Sequence, residues 1–175
     1  MSQHEGAPQM TLGAGLAVWI TAMVAIAGFA ALGYFLKLAP LYAGFLFVWY
    51  WTSSHEGSFT VMPSTILGAV GGVATAGLLQ YATVQWGGGG ALAVLGLIAI
   101  ALLVQIMNWL PMVSNPAYML FLTVTTAPLL QANESFAAVV AAILAGAAYF
   151  GLLLFVASRF RGGAAGASAA AAPNA

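Results

Sequence analysis

Six apolar runs occupy most of this 175-residue chain, and all charged side chains except Arg159, next to the end of the last run, lie outside them. A helix of about 20 apolar residues crosses the roughly 30 Å hydrocarbon core of a bilayer. Charged residues make up 3% of the sequence and hydrophobic residues 63%, whereas a soluble domain has about 25% charged residues. Because a soluble domain of this size could not cover so much apolar surface, we predict an integral membrane protein that resides in a lipid bilayer.

The boundaries of the runs predict an all-α integral membrane protein with six transmembrane helices, of which the second and the fifth are short. Residues 41–54 would form only about 21 Å of helix, which is less than the thickness of the hydrocarbon core. Proline, glycine and polar residues end the runs. The predicted helices cover residues 11–36, 41–52, 59–81, 91–110, 115–130 and 136–160.

An internal repeat relates the first three predicted helices to the last three. A shift of 76 residues aligns residues 16–48 with residues 92–124 and gives nine identities, with Tyr42 on Tyr118 among them. Self-similarity at a fixed shift is the signature of a duplicated unit. The predicted organisation is an N-terminal segment (1–10), a first three-helix repeat (11–85), a glycine-rich linker (86–90), a second three-helix repeat (91–161) and a disordered tail (162–175).

The number of helices in each repeat decides how the repeats are oriented. Three is odd, so the second repeat enters the membrane from the opposite side and the two repeats are inverted. Six crossings place both termini on one side of the membrane. Arg159 and Arg161 flank the last helix and Lys37 flanks the first, which favours cytoplasmic termini by the positive-inside rule. We expect a multi-pass protein of a bacterial inner membrane.

The polar residues at the two equivalent junctions are candidates for a solute pathway. Polar and ionisable side chains within a membrane usually mark an ion or substrate route, whereas those at its surface need have no such role. His55 and Glu56 fit either a proton-linked step or an interfacial turn in which Ser58 caps the third helix. Glu134 fits either a pathway or the first turn of the sixth helix, capped by Asn133. The candidate pathway residues are Ser53, Ser54, His55, Glu56, Asn108, Gln131, Asn133 and Glu134.

Asn108 is included because it lies three residues from Gln105, so that both amides share one face of the predicted fourth helix. An amide in that position either lines a pathway or hydrogen-bonds a neighbouring helix.

Small residues predict where helices approach each other closely. Gly68, Gly72 and Ala76 form small-xxx-small patterns in the third helix, and Gly146 belongs to a similar stretch in the sixth. Because the third and sixth helices are repeat counterparts, we expect them to form the central contact. The same faces would also allow association with a second copy of the chain or with other membrane subunits.

Catalysis and cofactors are not predicted. Cysteine is absent, which excludes disulfides and thiolate metal sites, and two histidines are too few for a metal centre. No nucleophile–base pair is present, so we expect no enzymatic activity. A net charge of zero gives no electrostatic reason to bind nucleic acid.

Residues 42–46 (YAGFL), the aromatic run after them, the polar turn at 53–57 and the glycine-rich third helix resemble a family of small, uncharacterised bacterial inner-membrane proteins. That family is similar to the membrane halves of aromatic-acid exporters of the fusaric-acid-resistance type. The resemblance covers roughly residues 40–160. The cytoplasmic domain and the basic pore residues of the exporters are missing, so the resemblance implies six membrane helices and transport but no substrate.

Two functions fit the sequence. One is a small transporter or channel that passes a small neutral or weakly acidic solute. The other is a non-catalytic structural or assembly subunit of a larger membrane protein complex. A water-accessible cavity lined by the junction residues would favour transport, whereas a closed core with these residues at the membrane surface would favour the subunit.

Overall fold

The computed structural model describes the backbone of residues 11–170 and the side chains of residues 11–159. Within that range the chain is all-α, as predicted, with no strand. The predicted segment 1–10 and residues 171–175 of the predicted tail lie outside the described residues, while residues 162–170 continue the last helix. The helices are α1 (Leu12–Leu36), α2 (Leu41–His55), α3 (Met62–Ile106), α4 (Pro116–Thr125), α5 (Pro128–Asn133) and α6 (Phe136–Ala170).

Three helices are long and apolar enough to cross a membrane, which supports the assignment to the membrane proteins. They are Leu12–Leu36, Met62–Ile106 and Phe136–Arg159, with mean hydropathies of 2.1, 2.4 and 2.5. The helices α2 and α4 have only 15 and 10 residues, which corresponds to about 22 and about 15 Å.

The helix α3 reverses direction at Gly87. This residue has φ 61° and ψ −144°, a backbone conformation that is essentially confined to glycine. Gly90 lies against the backbone carbonyl of Ala82, which a straight helix would place about 12 Å away. We therefore describe α3 as two antiparallel arms, the first arm (62–86) and the second arm (88–106). The reversal lies within the predicted linker, but the residues after Gly87 are helical.

The helix α2 packs along α6. A methyl group placed at Gly44 would meet the carbonyl of Ala142, and one placed at Gly57 would meet the side chain of Leu154. Residue numbers increase together along this contact, so α2 and α6 are parallel. The helix α1 packs beside them, with the rings of Phe29 and Phe150 at 5.1 Å.

The helix α4 packs along the first arm of α3, as α2 packs along α6. Gly68 lies against the side chain of Asn115, and Gly72 lies against the backbone of Leu122. These two helices are therefore also parallel. The second arm packs back on the first, where Thr75 of the first arm lines one cavity with Leu97 and Ile100 of the second, just as α1 packs on α6.

The two halves of the chain thus exchange helices. The helix α2 of the first half packs mainly on α6, and α4 of the second half packs against Gly68, Gly71 and Gly72 of the first arm. The two third helices, α6 and the first arm, are antiparallel and contact each other, because Gly77 meets Phe136 and Gly151 meets Met62.

The segments alternate in direction, so the bundle has two ends. We call the end where α1 begins and where Arg159 lies the terminal end, and it also contains the connections at 56–61 and 107–115. We call the other the far end, which contains Lys37, Gly87 and the connection at 126–135.

Candidate functional site

The first polar junction is a helix end at the terminal end of the bundle. Glu56 closes α2 in a left-handed conformation with φ 51°, and Gly57 follows with φ 70°. Ser53 Oγ donates to the carbonyl of Tyr50 at 3.4 Å. The ring of His55 lies edge-on to the ring of Tyr50, and its Nε2 is 3.5 Å from the Tyr50 hydroxyl. Ser53, Ser54 and Glu56 are exposed.

The second polar junction is built around the break between α4 and α5. Pro128 occupies the first turn of α5 and has no N–H, so it cannot continue α4. Gln131 Nε2 donates to the Thr125 carbonyl at 2.9 Å and to the Ala76 carbonyl at 3.1 Å. In return, the side-chain amide of Gln80 donates to the Gln131 carbonyl. These bonds join α5 to the first arm of α3.

Gln131 and Asn133 provide a matched pair of amides for testing that connection. Asn133 Nδ2 donates only to the Leu129 carbonyl within α5, at 2.9 Å, and the residue is exposed. We expect Gln131→Ala to lower the free energy of unfolding by about 1–3 kcal/mol, because it leaves the Thr125 carbonyl without this donor and removes the bond to the Ala76 carbonyl of the first arm. Asn133→Ala should change it by less than about 0.5 kcal/mol. Titration with SDS in mixed micelles measures both, and equal losses would contradict the assignment.

The structure separates the two junctions rather than bringing them together. Ser53 to Glu56 lie at the terminal end, whereas Gln131, Asn133 and Glu134 lie at the far end. Their role in a solute pathway stays a prediction.

Asn108 is not part of a helix, and the prediction that it shares a helical face with Gln105 is wrong. The helix α3 ends at Ile106, and Asn108 follows with φ 53°. Its N–H donates to the Gln105 carbonyl at 3.0 Å, and the N–H of Trp109 donates to the Val104 carbonyl at 3.1 Å. Asparagine tolerates the left-handed conformation, so here it terminates the helix.

The predicted caps of the third and sixth helices also differ. The helix α3 begins at Met62, after Val61, so Ser58 does not cap it, and Ser58 instead pairs with the hydroxyl of Thr60 at 2.8 Å. Asn133 is the last residue of α5, and Ser135 directly precedes α6.

The predicted packing residues are all buried, but they face the short helices. Gly68, Gly72 and Ala76 of the first arm pack against α4, and Gly146 of α6 packs against Gly44 of α2. A methyl group at Gly146 would lie 2.7 Å from Gly44 Cα and 3.0 Å from its carbonyl oxygen. The expected contact between the third and sixth helices exists, but these residues mainly accommodate α4 and α2.

A crevice between α1 and α6, to which α2 contributes Val48 and Thr52, has a volume of about 1050 Å³. Apolar side chains dominate its walls, and three residues with hydroxyl groups, Thr21, Thr52 and Tyr149, also line it. The Tyr149 hydroxyl donates to the Ala25 carbonyl of α1 at 3.2 Å. None of the eight candidate pathway residues lines this crevice.

Reasoning from the sequence did not identify the crevice residues. Threonine and tyrosine are common in apolar helices, so nothing distinguishes them before the partner helix is known. The available signal is periodicity, because residues 17, 21 and 24 of α1 and residues 149, 153 and 156 of α6 recur at three- or four-residue intervals. That pattern marks a helical face, but it does not show which helices face each other.

Comparison of the chain with family models, with curated proteins and with solved structures finds no match.

Proposed function

We propose that the chain crosses the membrane six times as two inverted three-helix repeats. The first repeat is α1, α2 and the first arm of α3, and the second is the second arm, α4 with α5, and α6. The sequence repeat supports this assignment, and so does the exchange of helices, because both repeats use the same partners in the other half. A pseudo-twofold axis in the membrane plane would relate the two sets of contacts.

Labelling of introduced cysteines tests this topology without background, since the chain has no cysteine of its own. Gly13→Cys and Ser158→Cys place thiols near the beginning of α1 and near the end of the described part of α6, and both positions are exposed. We expect a membrane-impermeant maleimide to modify both from the same side of the membrane, and Lys37→Cys from the other. Modification of Gly13→Cys and Ser158→Cys from different sides would contradict six crossings.

The function that this architecture supports best is transport of a small neutral or weakly acidic solute. The observation that carries the proposal is the exchange of α2 and α4 between the halves. Inverted repeats occur in many transporters, where one half moves against the other around a site between them. An architecture of this kind supports a class of function and not a particular solute. The weak resemblance to aromatic-acid exporters agrees with it.

Solute flux into liposomes tests the proposal. Liposomes containing the purified full chain should take up glycerol, as a neutral probe, or acetic acid in its uncharged form, as a weakly acidic one, faster than protein-free liposomes, and uptake should saturate. If the junctions line the route, His55→Ala and Glu134→Ala should reduce uptake at least severalfold. Gly96→Ala is the control, because a methyl group there meets nothing within 4 Å. Absence of flux for both probes would contradict transport.

A second candidate is a non-catalytic structural or assembly subunit of a membrane complex. The specific observation in its favour is the backbone contact of Gly44 with Gly146 between the two polar junctions, since a contact so tight leaves no room for a solute. Co-purification of a fixed partner, together with absence of flux, would support this alternative. Location in a bacterial inner membrane, cytoplasmic termini and assembly into homo-oligomers are further parts of the proposal.

A further inference from the structure

The hydroxyl groups that line the crevice between α1 and α6 can accept hydrogen bonds from a ligand but cannot donate them. Each of the three hydroxyl groups already donates its single hydrogen to a backbone carbonyl. Thr21 donates to Ala17 at 2.9 Å, and Thr52 donates to Val48 at 2.7 Å. Tyr149 donates to the carbonyl of α1 described above. A hydroxyl has one hydrogen and two acceptor lone pairs, so these oxygens can still accept hydrogen bonds but cannot donate them.

Among the residues whose side chains the structure describes, no Lys, Arg or His lines the crevice. An anion placed there would lose its hydration and would find neither a positive charge nor a free donor, which is unfavourable. A neutral molecule with an apolar body would bury that body against the walls. If it also carried one hydroxyl hydrogen, it could donate to a crevice oxygen. The crevice should therefore favour neutral molecules over anions, and molecules with a hydrogen-bond donor over those without one.

We propose that this crevice binds a neutral alcohol or phenol with an apolar body, and that it excludes carboxylate anions. This inference rests on the transport proposal, because the crevice would be the solute site of that transporter. A lipid acyl chain would fill the same space without using the acceptor oxygens. A second copy of the chain would cover the crevice without leaving room for a small molecule.

Three related probes separate these occupants: 4-propylphenol, its methyl ether 4-propylanisole, and 4-propylbenzoate at pH 8. Equilibrium dialysis of the purified full chain in detergent, against empty micelles, measures binding. We expect saturable binding of the phenol, about three- to tenfold tighter than the ether, as one net hydrogen bond would give. The benzoate should bind at least about tenfold more weakly than the phenol.

Four variants locate the binding. Leu153 lines the crevice and is 39% exposed, whereas its neighbour Leu152 is 63% exposed and lies outside it. Leu153→Trp should weaken phenol binding at least about fivefold, and Leu152→Trp should leave it unchanged. Ala22→Leu, on the opposite wall, should act like Leu153→Trp. The triple variant Thr21→Val/Thr52→Val/Tyr149→Phe should abolish the preference for phenol over ether while keeping the binding of the ether.

The outcomes that overturn the site are distinct. Equal binding of phenol and ether would mean that the crevice takes any apolar chain, as a lipid supplies. Tighter binding of the benzoate, or no effect of Leu153→Trp, would also overturn it. A change in oligomeric mass caused by Leu153→Trp, with no probe bound, would assign the crevice to a second copy. Saturable binding without flux would overturn transport alone, and flux without binding would overturn this site alone.

Discussion

Replacing Gly146 with alanine is expected to lower the free energy of unfolding by about 2–3 kcal/mol. The added methyl group would lie within 3.0 Å of the Cα and the carbonyl oxygen of Gly44. Backbone atoms cannot rotate away as a side chain can, so α2 would have to move off α6. Small residues allow this close approach of membrane helices, where dispersion contacts provide much of the stability.

Gly96→Ala is the matched control for that substitution. Gly96 lies in the second arm of α3, and a methyl group there meets nothing within 4 Å. Since alanine favours a helix over glycine, this change should raise the stability by up to about 1 kcal/mol. Titration with SDS in mixed micelles gives both values. Equal effects of the two substitutions would show that Gly146 does not form the close contact between α2 and α6.

Gly87→Ala is expected to cost about 1–3 kcal/mol, because alanine is strained at φ 61° and ψ −144°. The mechanism differs from that of Gly146, since a methyl group at Gly87 would meet nothing within 4 Å. The loss should therefore arise from the backbone conformation alone. The same SDS titration measures it.

Gly88→Ala separates this effect from a general need for a flexible linker. Gly88 also has open space around its Cα, but it has no positive φ. Its replacement should be neutral or should raise stability by up to about 1 kcal/mol. If Gly87→Ala proved as harmless as Gly88→Ala, the sharp reversal between the two arms would not be the native connection.

The positions of the helices could be predicted from the sequence because helix ends depend on local signals. The run 11–36 corresponds to Leu12–Leu36, and the run that begins at 136 corresponds to the beginning of α6. Length of the apolar run and the position of proline or glycine suffice for such boundaries. The run 115–130, by contrast, does not form one helix, because a turn before Pro128 divides it. The side chain of Gln131 donates a hydrogen bond to the carbonyl of Thr125 at this break.

What the sequence could not provide is the pairing of helices. Gly68 and Gly146 are recognisable as packing residues, but a small-residue face does not specify its partner. Gly146 contacts Gly44, and nothing in the local sequence around Gly44 distinguishes it from other glycines. The candidate polar residues were chosen because they are rare in an apolar chain. The hydroxyl groups of the crevice could not be recognised in this way, because threonine and tyrosine are frequent here.

Neither half of the chain can complete its own packing during synthesis. The first arm of α3 is made before α4, so the face containing Gly68 and Gly72 stays uncovered until residues 116–125 have emerged. The helix α2 likewise stays without its partner until α6 is made, after the other described helices. Packing of α4 and α6 would therefore complete both halves at nearly the same time. A chain truncated before α6 would leave both halves without their full set of helix contacts, and such a chain should be degraded.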